Sequence, residues 1–321
     1  MDHERPAATW QGRPVTGASI ALVLVAAVIH ASWNLLAKRA RDPFTFLWLA
    51  TALAMTWLVP LAAFFAPATV LEVLPAAGIS ALVHGLYFGT LGEAYRAGDL
   101  SRVYPIARGL GVALAPVLAL GATGVVPAPL AAAGIALVVI AIRTSARLAE
   151  CPDESGAAAD GRARSGASRT AIASLATRGG ARPSRRGTIL AVTTGVLIAT
   201  YSVVDHGGVA HASPIPYLAA TNAGALVVSA PFVWRRRDAA REALRHERGP
   251  LAGAACLSVT GYLLILYAFR SSPASYVVAM RETSIVVATL LGRFVLHEPV
   301  SPRRAAAALG IVAGAAAIAL A

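Results

Sequence analysis

The stretch SYVVAMRETSIVVATLLGRF, Ser275 to Phe294, is apolar along almost its whole length yet carries Arg281 and Glu282 near its middle. An earlier stretch, RVYPIARGLGVALAPVLAL from Arg102 to Leu120, does the same with Arg108. At about 20 residues each, such runs have the length that crosses a bilayer core as a helix. An ionisable group deep in hydrocarbon costs roughly 2.5–3.5 kcal/mol on insertion scales. Such groups persist where they face a bundle interior, a partner or a water-filled path. The rest of the chain reads as the wall around that path.

Apolar runs of this length recur from Thr16 to Ala321. The 321 residues are 57% hydrophobic and 14% charged, with a mean hydropathy of +0.64. A soluble domain has about 25% charged residues, so the fold class is an all-α polytopic membrane protein. A membrane barrel would show period-two alternation, and these runs do not. The net charge of +12 does not indicate a nucleic-acid partner. The basic residues sit between apolar runs, where the cytoplasmic loops of membrane proteins collect Lys and Arg. Cys151 and Cys256 form no framework.

About ten spans are expected: 16–37, 44–66, 75–96, 103–122, 127–146, 188–206, 213–234, 250–270, 273–295 and 302–321. Prolines such as Pro43, Pro75, Pro214 and Pro302 fall near their edges, where a helix can start without its missing N–H. Trp10, Trp48 and Trp234 suit membrane interfaces. Residues 1–15 form a polar tail. Residues 147–187 form a Ser-, Gly-, Ala- and Arg-rich linker with too little apolar surface to fold alone. Two five-helix repeats remain, 16–146 and 188–321.

The halves share an order of features. Tyr95-Arg96-Ala97 closes the third span and Phe269-Arg270-Ser271 the eighth; Arg108 and Arg281 follow. Five spans per half insert in opposite orientations. Two inverted five-helix repeats around a central cavity are the architecture of many secondary transporters. Loop charge alternates as well. Lys38, Arg39 and Arg41, then Arg96 and Arg102, the linker, Arg235 to Arg248, and Arg303 with Arg304 fill every second loop. By the positive-inside rule those loops are cytoplasmic and both termini are outside.

HASWNLLAKRARDP (His30 to Pro43), TYSVVDHGG (Thr200 to Gly208) and LHEPVS (Leu296 to Ser301), within this five-plus-five layout, resemble the EamA family of the drug/metabolite transporter superfamily. His-Ala-Ser-Trp-Asn followed by Lys38 is also similar to a branch associated with phosphonate utilisation. The resemblance covers the chain apart from the tail and the linker. It implies a ten-helix bundle in a bacterial-type cytoplasmic membrane, moving small organic solutes, often outward. Members of the family are usually drawn with both termini in the cytoplasm, opposite to the loop charge here. Small relatives exchange protons through a glutamate in the first span. This first span has His30 and Asn34 but no acid, so that role does not transfer.

Candidate substrate-binding residues are Arg281 and Arg108, whose guanidinium can grip a carboxylate or phosphonate through two hydrogen bonds. Their structural alternative is an ion pair with an acid, or snorkelling to a headgroup. Arg281 and Glu282 point about 100° apart on a helix and are poor mutual partners. Asn34, Trp33, Tyr87, Tyr104, Tyr262 and Tyr276 could line a cavity, though each also suits packing. Glu282, His30, His84 and Glu93 are the candidates for carrying protons. Asp205 and His206 read as a helix-ending turn beside Gly207-Gly208, and Glu298-Pro299 as a structural cap.

No metal site and no cofactor are expected. His206 and His211 lack a third ligand, and no Walker motif, HExxH, GxSxG or Asp cluster is present. The expected function is a secondary transporter, an exporter or exchanger working by alternating access, for a small polar organic metabolite, an anion if the arginines hold it. An intramembrane enzyme and a non-transporting membrane subunit are the alternatives. The expected partners are the small-molecule substrate and the lipid bilayer. Small-residue faces such as GIVAGAAA allow close packing within the chain or between two chains of a homodimer.

Overall fold

The computed structural model describes residues 16–65, 70–97, 100–124, 126–150, 185–295 and 302–321. The described residues are helical almost throughout. In chain order the helices are α1 (Gly17–Arg39), α2 (Pro43–Phe65), α3 (Val70–Ala97), α4 (Leu100–Thr123), α5 (Pro129–Glu150), α6 (Arg185–His211), α7 (Pro214–Trp234), α8 (Arg237–His246), α9 (Arg248–Phe269), α10 (Ala274–Arg281), α11 (Thr283–Val295) and α12 (Pro302–Ala319). Among the described residues, eight segments are long and apolar enough to cross a membrane, and α10 with α11 supplies one of them. Two shorter apolar segments, within α5 and α12, lie where the fifth and tenth spans are expected.

Three departures from the sequence expectation have local physical causes. The ninth span is not one helix. It breaks at Glu282, which caps α10. The Thr283 hydroxyl donates to the Met280 carbonyl at 2.9 Å, and the backbone tightens to i−3 bonds, Glu282 N to Ala279 O and Ile285 N to Glu282 O. A hydroxyl competing for a helical carbonyl is a common cause of such a bend. The sixth span does not end at His206 but runs on to His211, so Asp205 lies inside a helix. Between the seventh and eighth spans, the basic loop contains the helix α8. Asp238 lies in its first turn and Arg245 and His246 in its last, as the helix dipole favours.

Pro75 lies inside α3 rather than at its edge. Trp234 is exposed at the end of α7, as an interfacial residue would be. Trp48 instead donates its Nε1–H to the Leu226 carbonyl at 3.2 Å, tying α2 to α7. α5 and α6 reach into the expected linker as far as Glu150 and from Arg185. Trp10, the tail, the core of the linker, and the Leu296–Ser301 segment with Glu298-Pro299 lie outside the described residues.

Helix pairing repeats between the halves. α3 packs on α6 and α7, and its counterpart α9 packs on α1 and α2. α4 packs on α6 and α5, and its counterpart α10–α11 packs on α1 and α12. α2 with α7 and α5 with α12 pair across the two halves. Exchanging the halves therefore preserves the neighbours. At the α5–α12 crossing the backbones touch. A Cβ on Gly134 would lie 2.6 Å from the Gly314 carbonyl oxygen, and one on Gly314 2.7 Å from that of Gly134. Within a bilayer, where lipid competes equally for apolar side chains, such backbone approach is a main source of helix association.

The two ends of the bundle differ in charge. At one end Arg41 pairs with Glu242, and its backbone N–H donates to Glu247 at 3.2 Å. Arg236 reaches Asp42 at 3.6 Å and Glu93 at 3.8 Å, and Arg186 reaches Glu93 at 3.5 Å. The basic loops are thus gathered on one face and cross-linked there. At the other end the described contacts are neutral. Ser19 Oγ meets Ser271 Oγ at 2.6 Å, and the Ala128 N–H donates to the Tyr276 hydroxyl at 3.0 Å.

Candidate functional site

Two pairs of polar residues at helical i, i+4 spacing face each other in the middle of the bundle. Ser80 and His84 lie on α3, and Tyr201 and Asp205 on α6. Asp205 is completely buried, and its carboxylate is the hub. Ser80 Oγ and Tyr217 Oη donate to Oδ1, the latter at 2.9 Å, and Tyr262 Oη donates to Oδ2. His84 Nε2 is 4.0 Å from Oδ2. Four helices, α3, α6, α7 and α9, converge on this carboxylate. A carboxylate in an apolar interior is tolerated when its lone pairs are filled in this way.

Above the hub is a layer of rings. His84 lies 4.2 Å from Tyr201 and 5.7 Å from Tyr262, centroid to centroid, and Tyr87 lies 5.6 Å from Tyr201. Tyr201 connects this layer to the arginines, its hydroxyl standing 3.5 Å from Arg281 Nη2.

The two arginines on the matched fourth and ninth spans have different fates. Arg108 is gripped from two sides by Glu282: its Nε donates to Oε2 at 3.1 Å and its Nη2 lies 2.7 Å from Oε1. The first contact is a charge-assisted hydrogen bond; the second is an ion-pair approach without hydrogen-bond geometry. Arg281 is 3% exposed. Its Nε has no hydrogen-bond partner among the described residues, and its one described hydrogen bond is the long one to Tyr201. It sits at the C-terminal end of α10, seven residues or about 10 Å from the helix start. A cation is therefore held in the interior with its Nε unpartnered among the described residues. His30 on α1 is within electrostatic reach of both arginines.

The structure brings together Arg281, Arg108, Glu282, His84 and Tyr262, with Tyr87 at the edge and His30 beside them. Trp33 and Asn34 share the half-buried face of α1 with His30. Trp33 stacks edge-on to His30 at 4.7 Å, and Asn34 Nδ2 donates to the His30 carbonyl at 2.7 Å. Two candidates fall elsewhere. Tyr276 spends its hydroxyl on Ala128 at the neutral end. Glu93 lies in the ion-pair network of the basic end, reached by Arg186 and Arg236, because it is close to the end of α3. The side chains of Tyr104 and Lys38 are outside the described residues. Asp205, Ser80, Tyr201 and Tyr217 were not among the sequence candidates. The legible signal was the i, i+4 spacing of Ser80 with His84 and of Tyr201 with Asp205. No group of three or more His, Cys, Asp or Glu suited to a metal occurs among the described residues.

Fold and site together define an all-helical, multi-pass membrane protein with a charged, sealed centre. Residues 185–320 match the model of the EamA-like transporter family, the family the sequence resembles; the match assigns no branch within it. A solved crystal structure has the same fold, with a TM-score of 0.67 over 94% of this chain and 96% of that chain at 13% identity. No curated protein matches the chain.

Proposed function

We propose that the protein is a secondary transporter that moves a small organic anion across the cytoplasmic membrane, with Arg281 as the fixed charge that receives it. One observation carries this reading: a guanidinium buried in the helix bundle with an Nε that nothing among the described residues satisfies. A buried unpaired charge is costly. The cost is understandable if a carboxylate, phosphonate or similar group completes the site. Arg108 by contrast already has its acid, Glu282.

The family match over the second half supports transport rather than catalysis. The repeated helix pairing supports alternating access by rocking of the halves around this centre. The helix break at Glu282, next to Arg281, supplies a joint where α10 and α11 can change angle. The basic end of the bundle is the cytoplasmic one on loop charge, with both termini outside.

The test is uptake into proteoliposomes across a panel of small carboxylates, amino acids and phosphonates, comparing wild type with Arg281→Gln. Loss of anion uptake in a folded variant is the expected result. Unchanged uptake removes Arg281 from the site.

A further inference from the structure

The proposed function makes no use of Asp205, yet it is the most completely surrounded acid in the described structure. Its surroundings are one-sided. Every other element that hydrogen-bonds it presents a neutral hydroxyl donor: Ser80 from α3, Tyr217 from α7 and Tyr262 from α9, while His84 on α3 stands 4.0 Å away. Its own helix carries Tyr201 and His206. The charged groups nearest the cluster are Arg281 on α10, Arg108 on α4 and Glu282, with His30 on α1. No arginine or lysine hydrogen-bonds Asp205 among the described residues.

The hydrogen bonds determine which nitrogen of His84 carries its proton. Nδ1 lies 3.0 Å from the Ser80 carbonyl oxygen and 3.1 Å from Ser80 Oγ. A carbonyl only accepts, and the Ser80 hydroxyl proton goes to Asp205, so Nδ1 must be the N–H donor. In the neutral ring Nε2 is then the bare nitrogen. It stands 4.0 Å from Asp205 Oδ2, turned to the carboxylate with no proton to share. Adding a proton at Nε2 converts this gap into an imidazolium–carboxylate pair with no rearrangement of Nδ1. The fixed tautomer and the waiting acid form a proton seat.

Charge counting connects the seat to Arg281. With His84 neutral, Arg108 and Arg281 balance Glu282 and Asp205. A monoanion arriving at Arg281 leaves the sealed centre one charge negative. One proton at Nε2 restores neutrality. We propose that His84 and Asp205 form the proton-carrying pair of this protein, loaded at His84 Nε2 when an anion occupies Arg281. The step moves one proton from water to the imidazole and breaks no other bond. By linkage, anion and proton then favour each other's binding equally. The coupling to the anion rests on the function proposed above; the proton seat itself does not.

The test needs no substrate. Full-length protein carrying 15N-histidine is placed in lipid nanodiscs, and the imidazole nitrogens are followed by NMR as the pH is lowered. His84 is assigned by the signals lost in His84→Gln. In wild type the neutral ring is expected to be the Nδ1–H tautomer. In Asp205→Asn, protonation of Nε2 is expected to need about tenfold or more proton concentration, given a unit charge removed at this range. In Arg281→Gln, which mimics neutralisation by a bound anion, less proton concentration is expected to suffice. An Nε2–H tautomer in wild type overturns the seat, and that reading depends on neither the Asp205 nor the Arg281 variant. A titration indifferent to Asp205→Asn also overturns it. If Asp205→Asn acts as expected and Arg281→Gln does nothing, the seat stands and its coupling to Arg281 is refuted. Failure of anion uptake in the panel above, with the Asp205→Asn effect intact, refutes the Arg281 reading alone.

Discussion

Replacing Glu282 by Gln is the most informative change to stability. The carboxylate is 1% exposed, Arg108 is 5% exposed, and the two meet at 2.7 and 3.1 Å. Removing the negative charge leaves Arg108 buried with a neutral amide. Breaking a buried pair from one side typically costs about 3–5 kcal/mol. The shape hardly changes, so little of this loss is packing. Removing both charges, as in Arg108→Met with Glu282→Leu, discards the desolvation penalty together with the attraction. Such replacements are often neutral, or stabilising by about 1–4 kcal/mol. The double variant should therefore be more stable than Glu282→Gln by several kcal/mol. The assay is equilibrium unfolding in mixed micelles, read by a probe of tertiary structure. If the double variant is as unstable as Glu282→Gln or worse, Glu282 is not there to offset Arg108, and the distinction between the two arginines collapses.

Other changes probe separate parts of the structure. Gly134→Leu should destabilise by about 1–3 kcal/mol, the usual range for overpacking, because its Cβ would meet the Gly314 carbonyl at 2.6 Å; unfolding midpoints of Gly134→Leu and Gly134→Ala check this, with the larger side chain worse. Tyr276→Phe should cost about 1 kcal/mol through the lost bond to Ala128 and leave anion affinity unchanged; a changed affinity in the transport assay would bring Tyr276 back to the site. Arg236→Ala should cost under about 1 kcal/mol, since its contacts at 3.6 and 3.8 Å lie at the partly exposed basic end. A reporter that works only outside the membrane, fused after Ala321, should be active if loop charge sets the orientation.

Much of this was legible in the sequence. Apolar run length located the eight helices long and apolar enough to span, with shorter apolar helices at the other two expected positions, and the shared order of Arg108 and Arg281 matches the helix pairing that repeats between the halves. The sequence also shows why one arginine is left over. The residue after Arg281 is Glu282, whereas the residue after Arg108 is Gly109. Two arginines on matched spans thus share one acid. Which arginine takes it could not be read, because the pair joins residues 174 apart and depends on how the halves dock. The helix break at Glu282 was hidden because it turns on a single hydroxyl, that of Thr283. Asp205 was misread because Gly207-Gly208 resembles a helix end, whereas the chain continues helical and Tyr217 packs closely over Gly208. Its partners come from three other helices, which periodicity along one helix cannot reveal.

The central claim is that Arg281 waits for an anion, and one measurement bears on it most directly. Wild type, Arg281→Gln and Arg108→Gln with Glu282→Gln are reconstituted in proteoliposomes, and uptake of small organic anions is measured with and without a pH gradient. The account predicts uptake by wild type, loss in Arg281→Gln, and substantial retention in the double variant, where the Arg281 charge remains. Uptake that survives Arg281→Gln but is lost in the double variant would contradict it and move the anion site to Arg108 and Glu282.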